Sequence, residues 1–321
     1  MRFLRLLALG AALLTTAAAA QTPALGDRPV QIVVPFTAGG NVDNVARIIA
    51  QGLTDQLKRN VVVENRAGAN AIIGAEYVAR AAPDGHTLLF ATAETHAINP
   101  HIYAKLPYEP RGDFVSVGIV SRFPFALVIS PGLPAATLGE FVAYAKQQAG
   151  KLNYASWGVG STSQIAFEQL KQATGIDLTH VPFKGAAPAI TAVVAGDVQA
   201  LMVPLSVARP QAASGRVKLI AVTSETRDRS APDIPTATEQ GVPVVFGGWH
   251  LLAAPKGTPA AIVDGLNAAL NAVTGNPEYA ARLDKQGVRA VQSTPAEAGA
   301  MAASEWQRWG EVARAARVTA E

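Results

Sequence analysis

From Val30 onward, short apolar runs alternate with stretches whose apolar residues recur at helical spacing. Val30–Pro35 (VQIVVP) predicts a buried strand, and Val42, Val45, Ala46, Ile49, Leu53 and Leu57 then mark one face of a helix. Asn60–Glu64 predicts a second strand, Ala71–Ala82 a small-residue helix, and His86–Ala91 a third strand after the turn Pro83-Asp84-Gly85. This β-α-β-α-β order predicts a parallel sheet covered by helices on both faces.

After Asp113 the pattern changes. Phe114–Ser130 is one extended apolar run, too long for an ordinary strand. It predicts a segment that leaves one sheet and enters another, with Pro124 near the crossing. A second cycle follows: helix Phe141–Gln148, strand Leu152–Ser156, helix Thr162–Ala173, strand Leu178–Pro182, helix Pro188–Ala195, and strands Val198–Val203 and Lys218–Thr223. Val242–Ala254 is a second long extended run and predicts the return crossing. Helices Pro259–Thr274 and Pro295–Arg317 close the chain. The layout predicts an α/β fold of two lobes, residues 26–122 plus 246–321 and residues 123–245. Each has a mostly parallel central sheet, and the two crossing strands serve as hinge.

The first twenty residues fall outside this pattern. Arg2 and Arg5 precede an apolar stretch, Leu6–Leu14, which runs into Ala18-Ala19-Ala20. That order predicts a secretory signal peptide, 1–20, and hence a periplasmic protein. The chain has no cysteine, which excludes disulfides, thiolate metal sites and a lipid-anchored N-terminus. The formal charge is +3, and removing Arg2 and Arg5 leaves +1, so no basic face for nucleic acid is expected. The five histidines show no metal-ligand spacing, and no metal or other cofactor is expected.

Two strand–glycine loop–helix units carry the candidate chemistry. The first is Phe36, Thr37, Ala38, Gly39 and Gly40, with Asp43 in the first helical turn. The second is Ser156, Trp157, Gly158, Gly160, Ser161 and Thr162. Each lies where a strand's C-terminal end meets a helix N-terminus, the edge at which open α/β sheets bind ligands. Free amides and the helix dipole favour an anion there, and glycine admits close approach. Glycines in such loops also serve simply as tight turns, but two similar loops, one per lobe, favour a shared ligand. Lys184, Thr92 and Ser206 follow other strands and are further candidates as counter-charge or hydroxyl donors. Asp43 either stabilises the helix start or orients the loop, and Trp157 either lines the cleft or packs.

Enzyme signatures fail. No G-x-S-x-G or Walker A motif is present, and Gly158–Ser163 is only a partial dinucleotide fingerprint.

These residues resemble a known family. PFTAGGNVDNVAR (35–47), ENRAGANAIIGAEYVARAAPDGHTLLFAT (64–92) and LNYASWGVGSTSQIAFEQL (152–170) are similar to segments of the tripartite tricarboxylate transporter receptors, or Bug proteins. So are HVPFKGAAPAI (180–190), LIAVTSETRDRSAPDIPTATEQG (219–241) and WHLLAAPKGTPAAIV (249–263). The resemblance implies a type II periplasmic-binding-protein fold that acts as a monomer and is not an enzyme. It implies capture of a small organic anion (a di- or tricarboxylate, an acidic amino acid or an aromatic acid) for delivery to membrane permease subunits. It places the carboxylate contacts at Phe36–Gly40 with Asp43 and at Ser156–Ser163. Gln164 stands where the family often has histidine, Phe183 where it has tyrosine, and Trp157 is unusually bulky. These departures leave the ligand open. A periplasmic sensor and a secreted enzyme acting on a carboxylic acid using Asp43 or Lys184 are the alternatives.

Overall fold

The computed structural model describes residues 25–320. The signal-peptide expectation lies outside them. The chain begins β1 (Val30–Val34), α1 (Asn41–Leu57), β2 (Val61–Asn65), α2 (Ile72–Ala79) and β3 (Thr87–Ala91). A π-helical turn, Glu94–Ile98, leads into the short α3 (Asn99–Ile102). Then come β4 (Phe114–Ile129), α4 (Leu138–Gln147), β5 (Asn153–Ser156), α5 (Thr162–Thr174), β6 (Thr179–Pro182), α6 (Ala186–Ala195) and β7 (Ala200–Pro204). The rest is α7 (Leu205–Ala213), β8 (Lys218–Val222), β9 (Gly247–Pro255), α8 (Ala260–Thr274), α9 (Pro277–Lys285), β10 (Arg289–Ala290) and α10 (Pro295–Ala315).

Local chemistry sets the helix ends. Thr137 with Glu140 and Thr294 with Glu297 form capping boxes at the starts of α4 and α10. Gly175 and Gly196 end α5 and α6 in the left-handed conformation that glycine adopts most readily.

The strands follow one path, β2-β1-β3-β9-β4-β7-β5-β6, with β8 and β10 also on β4. β4 is shared. From Phe114 to Pro124 it pairs with β9, and from Phe125 to Ile129 with β7. Two sheets thus meet at one strand, at the proline that the sequence pattern singled out. β1, β2 and β3 are parallel, as are β5, β6 and β7.

Strand direction places the loops. β3 runs antiparallel to β9 and β9 antiparallel to β4, so β3 points the way β4 leaves the first sheet. β7 runs antiparallel to β4, and its last residue, Pro204, pairs with Phe125 at the crossing. The C-terminal ends of β1–β3 and of β5–β7 are therefore directed toward one another across that crossing.

The apolar core is continuous there. One cluster of buried side chains joins Leu89 and Leu251 of the first sheet to Phe125, Tyr154 and Phe246, and to Trp309 of α10. Separate clusters fill the outer face of each sheet.

Three details differ from the sequence pattern. The return crossing is not a long strand: Val242–Phe246 has no ladder, and β9 begins at Gly247. The segment is fastened instead by Thr223, whose carbonyl accepts from the Phe246 amide and whose hydroxyl bonds the Phe125 and Phe246 carbonyls. α7 follows β7 directly, despite Pro210 within it. α9 is an additional short helix begun by Asn276, whose side chain accepts from the Glu278 amide.

Candidate functional site

The first loop is open. Thr37, Ala38, Gly39 and Gly40 are exposed at the end of β1, and Phe36 is half-buried against the core. Gly40 begins α1, and no side chain caps that helix. Its first-turn amides are therefore left for another acceptor. Gly39 sits at φ +83°, a conformation suited to glycine.

Asp43 shapes this loop from beneath. It is 2% exposed. Its Oδ2 accepts from the Gly39 amide (2.9 Å) and Arg47 Nε (2.9 Å), and its Oδ1 from Asn65 Nδ2 (2.8 Å). Asn65 also donates to the Phe36 carbonyl. Burial alone would raise the carboxyl's pKa, but the bonds from Arg47, Gly39 and Asn65 outweigh it and hold the value low. The charge is balanced by Arg47, so it does not repel an anion at the amides above it.

The second loop is organised differently. Ser156 is fully buried, and its Oγ receives the Gly158 amide (3.1 Å) and lies 2.6 Å from His180 Nε2. This serine–histidine pair braces a turn inside the protein. Gly160 donates its amide to Gln164 Oε1 (2.7 Å), and Ser161 caps α5 by accepting from the Gln164 amide. Gln164 is thus a loop brace. Trp157 is half-buried, its ring 5.9 Å from Phe125, and Val159 is exposed.

The amide of Thr162 is taken by a residue absent from the sequence reading. Glu94 Oε1 accepts from Thr162 N (3.2 Å) and Thr162 Oγ1 (2.8 Å), while its Oε2 accepts from Thr92 Oγ1 (2.7 Å). Glu94 is 5% exposed. The anion at the start of α5 is a side chain of the protein's own, reaching across from the other sheet. Thr92 is committed to that carboxylate rather than to the loop mouth. The signal for Glu94 was a lone acid inside a buried stretch.

Asn70 adds a second bond on this flank. Ala69, Asn70 and Ala71 all lie at positive φ (47°, 50° and 71°). That strained run is held by a reciprocal pair, Asn70 Nδ2 to Asn99 Oδ1 and Asn99 Nδ2 to the Asn70 carbonyl, both 2.8 Å. Asn70 also donates to the Gly160 carbonyl (3.3 Å). Gly160 abuts Ile102 so closely that a Cβ would overlap its Cδ1.

The opposite flank is closed by Ser206. It fills the space where Gly287 would carry a side chain, and Arg289 lies 3.7 Å from Asp228. Asn41 Nδ2 donates to the neighbouring Gln286 carbonyl (2.8 Å), which ties the first loop to this flank. Lys184 is exposed after β6, and the preceding Phe183 amide donates to the Ser156 carbonyl. The candidates fall into two groups by exposure and bonding. Thr37–Gly40, Trp157, Gly158 and Lys184 are accessible or partly so. Thr92, Gly160, Ser161, Thr162 and Ser206 make or support the contact between the lobes.

Comparison with known proteins agrees with this architecture. Residues 45–317 match the family model described as "Tripartite tricarboxylate transporter family receptor". Protein BugT of Bordetella pertussis is 33% identical over 289 residues, covering 89% of each chain. A UPF0065 protein from the tcbD-tcbE intergenic region of Pseudomonas sp. (strain P51) is 34% identical over 288 residues, covering 89% of this chain and 85% of its own. Among solved structures, R. palustris Rpa4515 with adipate superposes with a TM-score of 0.83 at 33% identity, covering 91% of this chain and 98% of that one. MatC from Rhodopseudomonas palustris with bound malate gives 0.79 at 35% identity, covering 88% and 98%. The periplasmic binding protein BugD gives 0.80 at 35% identity, covering 92% and 100%. No helix among the described residues is long and apolar enough to cross a membrane. The family is one of periplasmic solute-binding receptors rather than enzymes, and with a family-model match over most of its length this chain belongs to the tripartite tricarboxylate transporter receptors.

Proposed function

We propose that this chain is a periplasmic receptor that captures a small organic carboxylate between its lobes and delivers it to the permease subunits of a tripartite transporter. The lobes are residues 26–122 with 246–321, and 123–245. The observation that carries the reading is the uncapped start of α1, exposed at a strand end that is directed toward the other lobe. The bound adipate and malate of the two R. palustris relatives support a linear carboxylate of that size. In this reading the amides of Thr37, Ala38 and Gly40 and of α1's first turn hold one carboxylate, while Asp43 keeps the Gly39 amide. Trp157 and Gly158 form the facing wall, and Lys184 supplies a counter-charge at its rim. Thr92, Ser156, Gly160, Ser161, Thr162 and Ser206 fix the distance between the lobes.

Calorimetry with a panel of four- to six-carbon dicarboxylates tests this. One acid should bind the wild type and raise its melting temperature by mass action. Gly40→Val sets a branched side chain beside the free amides, and Gly40 has ordinary φ and room for a Cβ. The fold should survive, and affinity should fall by a factor of ten or more. If no organic acid binds, or Gly40→Val binds as tightly as wild type, the proposal fails.

A further inference from the structure

A second concavity lies on the first lobe, away from the gap between the lobes. It is bounded by the start of α8, the first turns of α10, the beginning of β4 and the loop before it. It encloses about 540 Å³, within the range of small-molecule sites. Phe114, Val115 and Val263 give it apolar walls.

Its polar groups are only partly matched: Arg111 lies over the Trp306 ring, 4.9 Å from its centroid. His96 lines the cavity and is 4% exposed. Its Nδ1 lies 2.9 Å from Thr95 Oγ1, while its Nε2 is buried without a partner. The Thr95 hydroxyl has one proton and donates it to the Thr92 carbonyl (2.9 Å). The Nδ1-protonated ring satisfies both bonds at Thr95 and leaves Nε2 as an acceptor without a partner. Burial lowers the pKa of His96 to about 4, which keeps the ring neutral near pH 7. Arg111 and Asp264 stand exposed on the rim, opposite in sign, and form no ion pair among the described residues. α8 starts beside them with no side-chain cap.

We propose that this cavity binds a small zwitterion of the α-amino acid class with an apolar side chain. The carboxylate faces Arg111 and the free amides at the start of α8. The ammonium lies toward Asp264, beside the His96 ring. The side chain rests on Phe114, Val115 and Val263. The site is independent of the carboxylate site between the lobes, but it is mechanically joined to it. His96 belongs to the same π-helical turn as Glu94, whose carboxylate bonds Thr162 of the other lobe. An occupant that fixes His96 also fixes that turn.

The test is a titration of protein carrying ¹⁵N-labelled histidine with L-leucine, 4-methylpentanoate and 3-methylbutylamine, followed by NMR. Leucine should shift the His96 Nε2 resonance saturably. The two half-molecules should bind about tenfold more weakly, as should leucine to Arg111→Ala or Asp264→Ala, the loss expected for one charged contact. Both rim residues are exposed, so these variants keep the fold. Gly40→Val should leave leucine binding unchanged even where it abolishes dicarboxylate binding. No saturable shift would overturn the proposal and leave His96 Nε2 to a bound water only. Leucine binding that is lost in Gly40→Val but kept in Arg111→Ala would overturn it too, by placing the amino acid between the lobes.

Discussion

Glu94→Gln removes one charge from the contact between the lobes and leaves side-chain size unchanged. The carboxylate accepts from the Thr162 amide, the Thr162 hydroxyl and the Thr92 hydroxyl, and the first two bonds cross from one lobe to the other. A hydrogen bond to a charged group contributes about 1.5–3 kcal/mol, against about 1 kcal/mol for a neutral pair. If the amide oxygen takes the place of Oε1, both crossing bonds survive at neutral strength, for a loss of about 2 kcal/mol. That corresponds to a shift of about thirtyfold toward separated lobes. Small-angle X-ray scattering should show a larger radius of gyration, and carboxylate affinity should fall because closure is less favourable. A double-mutant cycle with Thr162→Val should return a coupling of similar size. Scattering profiles that superimpose, together with an unchanged urea midpoint, would refute the assignment of Glu94 as the bridge.

Acid should destabilise the fold in two separate windows. Burial disfavours the charged forms of His96 and His250 and lowers their pKa values to about 4 and about 3. An unfolded histidine titrates near 6.5, so below that pH the unfolded chain binds more protons than the folded one, and stability falls toward pH ~4. At about 1.4 kcal/mol per unit of separation, the two together contribute several kcal/mol. A flat melting temperature between pH ~6.5 and ~4.5 would contradict this. Asp43 acts lower down. Its pKa is lowered on folding, so its contribution is present above the unfolded value near 3.9 and is lost only as pH drops through the folded one. Gly160→Ala combines a φ of +73° with overlap on Ile102 and should lower the urea midpoint and separate the lobes. Gly39→Ala, at φ +83° with open space around it, should lose only about 1 kcal/mol, and equal losses from the two would show that Ile102 plays no part.

The repeating strand–helix order was legible because buried strands such as VQIVV and helices such as α1 carry their periodicity locally. The crossing at Pro124 was legible too, because a run of that length has no place in one sheet. The return crossing was legible but its strand was read too long, since Val242–Phe246 is apolar enough for a strand but is held by Thr223 rather than by a ladder. α7 was missed because Pro210 reads as a breaker. At the candidate site, the open glycine loop between β1 and α1 was legible from the strand–glycine–helix order. The second loop's occupant did not. Glu94 lies 68 residues from Thr162, and only tertiary structure brings an acid to a distant helix start.

The position of β9 has a consequence for how the protein is made. β3 and β4 follow one another in the chain, yet they do not pair: β9 lies between them, paired to both. The first sheet therefore stays in two pieces until residue 255 has been synthesised, and Trp309 completes the central core later still. Pairing across so great a separation in sequence makes for slow folding. The nascent N-terminal half has no finished sheet to settle into, so commitment to the native topology falls late, when nearly the whole polypeptide is already available.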